Sequence, residues 1–299
     1  MAAESQTLAR DDIADRLAWL ENLYGRLDLA AQISLWAIIS LILIAGAAPI
    51  ITPYSPSAQD YDASLAGPSI DHPFGTDLTG RDVFTRLVFG ARASLLVGLV
   101  AVGLAIAAGV PLGSIAGYTD RSWLDESIMR LMDMIISVPA LVLGLALVGT
   151  LGASLENVIL VIGIVYAPQY ARVIRGQVLK VKEEEYVEAA KNTGLGHMTI
   201  LRKHILPNAF APVLVQATYH IATAIIIEAS LSFLGLGVQP PTPTWGRMIA
   251  NGRGYLPDAW WISTFPGLAI MITVLAFNLL GDGLRDEFDP RSVTEEGNA

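Results

Sequence analysis

Asp133, His220 and Glu228 stand in or at the edges of long apolar stretches. An ionisable group at membrane depth is expensive and points to function by default. Asp133 lies three residues after Arg130, a spacing that suits an ion pair on one helix face, or a gate contact near the inner surface. His220 stands eleven residues past Ala209, about 16 Å along a helix and close to a bilayer midplane. It reads either as a hydrogen-bonded imidazole inside a bundle or as a group lining a path. Glu228 lies about 28 Å along the same helix, near the outer face. It is either held by a structural partner or open at an outer mouth.

A second constellation occupies 172–208, a long charged stretch: Glu188-Ala189-Ala190, three residues, Gly194, eleven residues, Leu206-Pro207. Glu183, Glu184 and Glu185 fall where a helix N-terminus favours negative charge, and Lys191 falls near its other end. Gly194 suits the left-handed position after a last turn. A second short helix is expected over 198–205, ending at Pro207, which has no N–H to donate. Asn208 then caps the next helix. Ala189 and Ala190 leave a surface with little bulk beside one carboxylate, which suits close approach by another protein's groove. A plain solvated loop with a glycine cap fits the same composition. Other chemistry is excluded by motif. There is no G-x-x-x-x-G-K-[ST] and no Gly-Lys pair, so no phosphate-cradling loop. There is no H-E-x-x-H and no G-x-S-x-G.

The elements that carry these residues are set by where charge is missing. Of 299 residues, 53% are hydrophobic and only 16% charged, against about 25% in an ordinary globular domain. Mean hydropathy is +0.50. Six windows suit helices crossing about 30 Å of hydrocarbon: 29–59 (densest at 33–51), 93–119, 134–155, 157–171, 204–227 and 259–281. The fourth is short, and Arg172 and Arg175 are expected to reach back to the interface along their stems. With all six crossing and the N-terminus inside, the inner pieces hold fourteen of the 19 Lys and Arg, and the outer pieces five. That asymmetry favours both termini inside. Asp11, Asp12, Asp15, Glu21 and Asp28 argue against a secretory signal, so the first apolar helix is expected to remain as an anchor. Ile13, Leu17, Leu20, Tyr24 and Leu27 mark an amphipathic helix before it. Zero cysteines exclude disulfides and thiolate metal sites. A net charge of −9 disfavours nucleic acid.

The 188–207 pattern resembles the EAA loop of ABC importer permeases. Further stretches are similar to one branch of that family. They are His72-Pro73-Phe74-Gly75-Thr76-Asp77 with Gly80-Arg81-Asp82-Val83, Gly90-Ala91-Arg92, Met129-Arg130 with Met132-Asp133 and Pro139, the run 228–237 with Gln239-Pro240-Pro241-Thr242-Pro243, and 281–286 with Asp289-Pro290-Arg291. The branch is the second permease subunit of dipeptide, oligopeptide and nickel importers, and the resemblance covers 72–291. One departure is His204, where the general pattern has Ile two residues before Leu-Pro.

The resemblance implies an all-α membrane protein of the type I importer permease fold, with six transmembrane helices, N-in/C-in, in the cytoplasmic (inner) membrane. It divides the chain into an inner N-terminal segment (1–28), a first span with its outer loop (29–71), a permease core (72–284) and an inner tail (285–299). Glu188, Ala189, Ala190, Gly194, Leu206 and Pro207 are implied to couple to ATPase subunits. Asp133, His220 and Glu228 are the path or gate candidates. No catalytic residue, metal or cofactor is expected in this chain; ATP and Mg belong to partner ATPases. The implied partners are a second permease subunit, two ABC ATPases, a periplasmic or lipid-anchored substrate-binding protein and the lipid bilayer, with no nucleic acid. Short peptides are the expected cargo, with nickel or a glutathione-like peptide as the alternative. An ion- or proton-coupled secondary transporter is the competing class.

Overall fold

The computed structural model describes residues 24–288. The amphipathic stretch expected before the first span lies outside them up to residue 23. Among the described residues the chain is helical, with one isolated antiparallel bridge between Thr76 and Asp82 and no strand.

The first helix, α1 (Leu29–Gly46), starts where the Asp28 carboxylate accepts from Ala31 N. The second, α2 (Val83–Tyr118), is capped by Asp82, whose carboxylate accepts from Thr85 N at 2.7 Å. At 36 residues it is about 54 Å long, more than the hydrocarbon requires. Next come α3 (Ser122–Ile136), α4 (Ala140–Leu151) and α5 (Leu155–Val181). Two short helices follow, α6 (Glu185–Asn192) and α7, which opens at His197–Ile200. The last three are α8 (Ala211–Phe233), α9 (Trp245–Gly252) and α10 (Trp261–Phe288).

Five of these, α1, α2, α5, α8 and α10, are long and apolar enough to cross a membrane, and the count reaches six if α3 and α4 are one span. That third span is not the continuous helix expected over 134–155. The chain bends by 87° between α3 and α4, at Ser137-Val138-Pro139. Proline disfavours helix in the residue before it and has no N–H to continue the ladder. The short fourth window lies in the first two thirds of a 27-residue helix. Its flanking arginines are part of that helix, so α5 has ample length to span.

The most extensive contact in the fold is between α2 and α5, and its cause is a feature the window reading passed over. Gly109, Gly113 and Gly117 recur every fourth residue on one face of α2. A Cβ at Gly109 would overlap the carbonyl oxygen of Ala167, and one at Gly113 that of Ala171. At Gly117 it would stand 2.8 Å from the carbonyl of Arg175. From the other side, Gly163 of α5 faces Leu104 and the Ala101 carbonyl. Small residues at this spacing let two backbones touch, the main attraction left where lipid is as apolar as leucine.

On the outer side, tryptophans tie the loops down. Trp261 Nε1 donates to the Thr76 carbonyl at 3.0 Å, and Trp245 Nε1 to that of Leu87 at 2.9 Å. Phe74 stacks on Phe265 with ring centroids 4.1 Å apart. The loop before α2 is thus pinned to α10, and the start of α2 to α9.

The glycine ladder makes a sharp prediction. Gly113→Ala should lower the melting temperature of the detergent-solubilised protein by several degrees, the backbone contact being displaced at about 1–3 kcal/mol. Gly103→Ala, on the same helix with nothing within 4 Å, should leave it unchanged or raise it through helix propensity.

Candidate functional site

Between α5 and α8 the chain builds an exposed helix–glycine–helix element. α5 ends at Val181 and a turn carries the chain into α6. Glu184 is the N-cap, Glu185 and Glu188 lie in the first turn, and Lys191 lies in the last, so charge follows the helix dipole at both ends. Gly194 has φ +80°, the left-handed conformation that glycine adopts without strain. The turn it makes is closed by Thr193 N donating to Ala189 O and Gly194 N to Lys191 O. α7 starts after Gly196.

One face of this element is buried. Val187, Ala190, Ile200, Leu201, Ile205 and Ala209 turn into the core, while Glu184, Glu185, Tyr186, Glu188 and Ala189 are exposed. The alanine pair is therefore split. Ala189 faces outward beside Glu188, and Ala190 is only 8% exposed, because consecutive helical positions are turned about 100° apart. Gly194 and Pro207 are exposed and Leu206 is half-buried.

The second half differs from expectation. The helix does not stop at Pro207. It widens into a π turn over Leu201–Ile205 and goes on through Leu206–Ala209. A widened turn admits the proline ring without breaking the helix. Asn208 does not cap α8; its amide donates back to the His204 carbonyl at 2.7 Å. The N-cap of α8 is Phe210, with no side-chain bond.

Three polar links join the element and α5 to the spans. Tyr118 Oη, at the end of α2, is 3.0 Å from His197 Nδ1 at the start of α7. Arg175 of α5 holds Asp125 of α3 through two bonds of 2.6 and 2.5 Å. Arg172 of α5 donates to Asp133 at 2.6 Å. The partner of Asp133 is thus Arg172 from a neighbouring helix, not Arg130, which instead faces Glu126 at 3.6 Å. Arg172 and Arg175 point to these carboxylates of α3. Bidentate guanidinium geometry favours such links, and single-helix spacing does not reveal them.

His220 is buried in α8. Its ring stacks on Tyr166 at 4.3 Å and meets the edge of Tyr170 at 5.0 Å. The Gln216 amide donates to its Nε2 at 2.9 Å, and Nδ1 has no partner. Gln216 also lines an open hollow of about 600 Å³ with Val173, Gln177, Tyr219, Arg285 and Phe288. Glu228 is fully buried. Ser232 Oγ donates to it at 2.7 Å and lies 3.4 Å from Thr244 Oγ1. Its carboxyl group sits inside this subunit, beneath the start of α9, rather than at an open mouth. Asp133, His220 and Glu228 do not converge on one site. In the tail, Asp282 accepts from Tyr219 Oη at 2.6 Å and Glu287 pairs with Arg26 at 3.0 Å. Asp289 and Arg291 lie outside the described residues. Among those residues no group of three or more His, Asp or Glu is placed to hold a metal ion.

Comparison with known proteins gives consistent matches. Residues 109–293 match the family described as "Binding-protein-dependent transport system inner membrane component". Residues 29–68 match the "N-terminal TM domain of oligopeptide transport permease C". The chain is 47% identical over 261 residues to a dipeptide transport system permease protein of Alkalihalophilus pseudofirmus, covering 87% of this chain and 86% of that one. It is 45% identical over 255 residues to a probable D,D-dipeptide transport system permease protein of Escherichia coli K12, covering 85% of each. It is 44% identical over 279 residues to a glutathione transport system permease protein of Escherichia coli O6:K15:H31, covering 92% of this chain and 91% of that one. The fold is similar to that of a methionine ABC transporter in an inward-facing conformation, with TM-score 0.58 and 20% identity over 69% of this chain and 98% of that one.

The turn at Gly194 is open to test. Gly194→Val forces a branched side chain into the left-handed region at a cost of about 1–3 kcal/mol. It should expose residues 183–207 to limited proteolysis, while Gly194→Asn, tolerated there, should cut at the wild-type rate.

Proposed function

The chain belongs to the ABC importer permeases, the binding-protein-dependent transport system inner membrane components, in their peptide branch, and from that premise we propose that it forms half of the translocation path of an ATP-driven importer of short peptides. The observation that carries the reading is the element 185–209. One of its faces is anchored in the subunit's core, and the other presents Glu188 and Ala189 to a partner. Two ABC ATPase subunits below, which bind ATP and Mg, seat this face in a cleft. Ala189 allows close approach and the Glu188 carboxylate sets the register. Closure of the ATPases on ATP then moves the element and, through α5 and the Tyr118–His197 link, the spans. Such rigid-body switching between two states is a known route for coupling.

The chain lies in the cytoplasmic membrane with both termini inside. It pairs with a second permease subunit and receives cargo from a substrate-binding protein outside. It makes and breaks no bond itself. Within the subunit, the hollow bordered by Gln177, Gln216 and Tyr219 is the inner part of the path, with His220 behind it holding Gln216 in place. The Arg172–Asp133 pair acts as a gate contact at the inner surface. Dipeptides and oligopeptides are the cargo favoured by the similarity to dipeptide permeases and to the oligopeptide permease domain. A glutathione-like peptide is the second reading, favoured by 44% identity over 279 residues to a glutathione permease.

The test is made on the complete importer in proteoliposomes. Glu188→Arg combined with Ala189→Trp should abolish peptide uptake and the ATPase stimulation that the loaded binding protein causes, while the subunits still assemble. Uptake by the wild type should stop on ATP depletion and survive an ionophore. Uptake that collapses with the ionophore and survives ATP depletion would instead mark a secondary transporter.

A further inference from the structure

The outer loops of this subunit enclose a second hollow, of about 280 Å³, walled by Asp77, Arg81, Arg86, Thr242, Arg247 and Asn251. Three of the five basic residues in the expected outer pieces of the chain meet there. Only one carboxylate opposes them, and it is already engaged. Asp77 Oδ1 accepts from the Thr79 backbone, the Thr79 hydroxyl and the Arg81 backbone at 2.9 to 3.1 Å. Its Oδ2 accepts from Arg81 Nε at 2.7 Å and lies 3.6 Å from Arg86 Nε. Arg86 is held further by the Pro56 carbonyl at 2.8 Å.

Arg247, from the first turn of α9, has no acid opposite it. Its Nε is buried without a hydrogen-bond partner, and among the described residues no ion pair is made by its guanidinium. The Asn251 amide, one helical turn further on the same face, and the Thr242 hydroxyl line the same hollow from exposed residues. A buried donor left unsatisfied is costly and calls for a partner. An excess of two positive charges, a free guanidinium fork, an amide and a hydroxyl in one small hollow match a planar carboxylate.

The position of the hollow selects the source of that carboxylate. Its lining comes from the outer loops and from the outer ends of α2, α9 and α10; no residue from the middle of a span contributes. Cargo has to pass the middle of the bilayer. A group held in this hollow stops at the outer face.

We propose that this hollow is a docking socket for an Asp or Glu side chain of the substrate-binding protein, with Arg247 as its principal contact and Asn251 and Thr242 beside it. The proposal rests on the importer reading above. Opposite charge set in a recess speeds encounter and fixes register.

The test uses the complete importer in lipid nanodiscs and its own binding protein, with docking affinity measured at low and high salt. Arg247→Gln removes the free charge. Asn251→Asp places a resident carboxylate in the socket without deleting a cation. Each should weaken docking by about tenfold or more and flatten its salt dependence. Arg247→Glu should be rescued by one Asp→Lys or Glu→Lys change on the binding protein. Wild-type affinity in both single variants overturns the proposal. So does a free dipeptide that binds the complex through this site, losing affinity on C-terminal amidation and in Arg247→Gln while docking is unchanged, because the socket then serves cargo. The chain has no native cysteine, so Asn251→Cys provides a single label. Shielding of that cysteine from an impermeant maleimide before binding protein is added overturns the proposal too, since the partner permease would already fill the hollow. A wild-type importer to which no binding protein docks defeats the importer reading and this inference together. Docking that is intact in the wild type and indifferent to the variants defeats this inference alone.

Discussion

Backbone touches backbone where α2 lies on α5, and the rest of the subunit is arranged around that contact. Side chains on leucine-rich helices gain little from each other in lipid, because the tails are equally apolar. Glycine at three successive turns of α2 removes the spacer and lets the ladder of α5 carbonyls approach. The contact runs to Gly117 against Arg175, within two turns of the point where α5 ends and the exposed element begins. It is extended on the same side by the double Arg175–Asp125 bond and by Tyr118 on His197. A displacement of the element therefore meets a braced helix pair.

The outer side is braced by different chemistry. There the chain is in water or headgroups, and indole N–H groups of Trp245 and Trp261 find backbone carbonyls of Leu87 and Thr76. These bonds fix the loop that presents Asp77 and Arg81 against α10, and the start of α2 that presents Arg86 against α9, which presents Arg247. The inner element and the outer socket are thus set on one frame, the long outer loop before α2 being tied down by Trp261 and Phe265. In this account a partner closing below and a partner seated above act on the same rigid body, which is what alternating between two discrete states requires.

Much of this was legible in the residues, for physical reasons. Missing charge marks the helices because an uncompensated charge is costly in hydrocarbon. The turn at Gly194 was legible because few residues other than glycine adopt a positive φ easily. What could not be read were contacts between elements distant in the chain. Asp133 looked to Arg130 because spacing reveals only neighbours on one helix; Arg172 is 39 positions away. Ala189 and Ala190 looked equivalent until the helix face was known. Pro139 stands inside the third window, yet a window scored for charge gives no sign of the 87° bend there, and Pro207 signalled a stop where a π turn absorbs it. The repeat of Gly109, Gly113 and Gly117 was readable as a small-residue stripe, yet a window scored for charge alone passes over it.

The claim on which the account turns is that the outward face of α6 is seated in an ATPase. Ala189→Cys in this otherwise cysteine-free chain allows it to be measured directly, by a photoactivatable cross-linker attached at that one position in the assembled importer. If α6 is seated there, a cross-linked product forms between this chain and the ATPase subunit, with a yield that changes between the nucleotide-free and ATP-bound states. A label at position 189 that stays accessible to water-soluble quenchers in both states, and captures no ATPase, would contradict it.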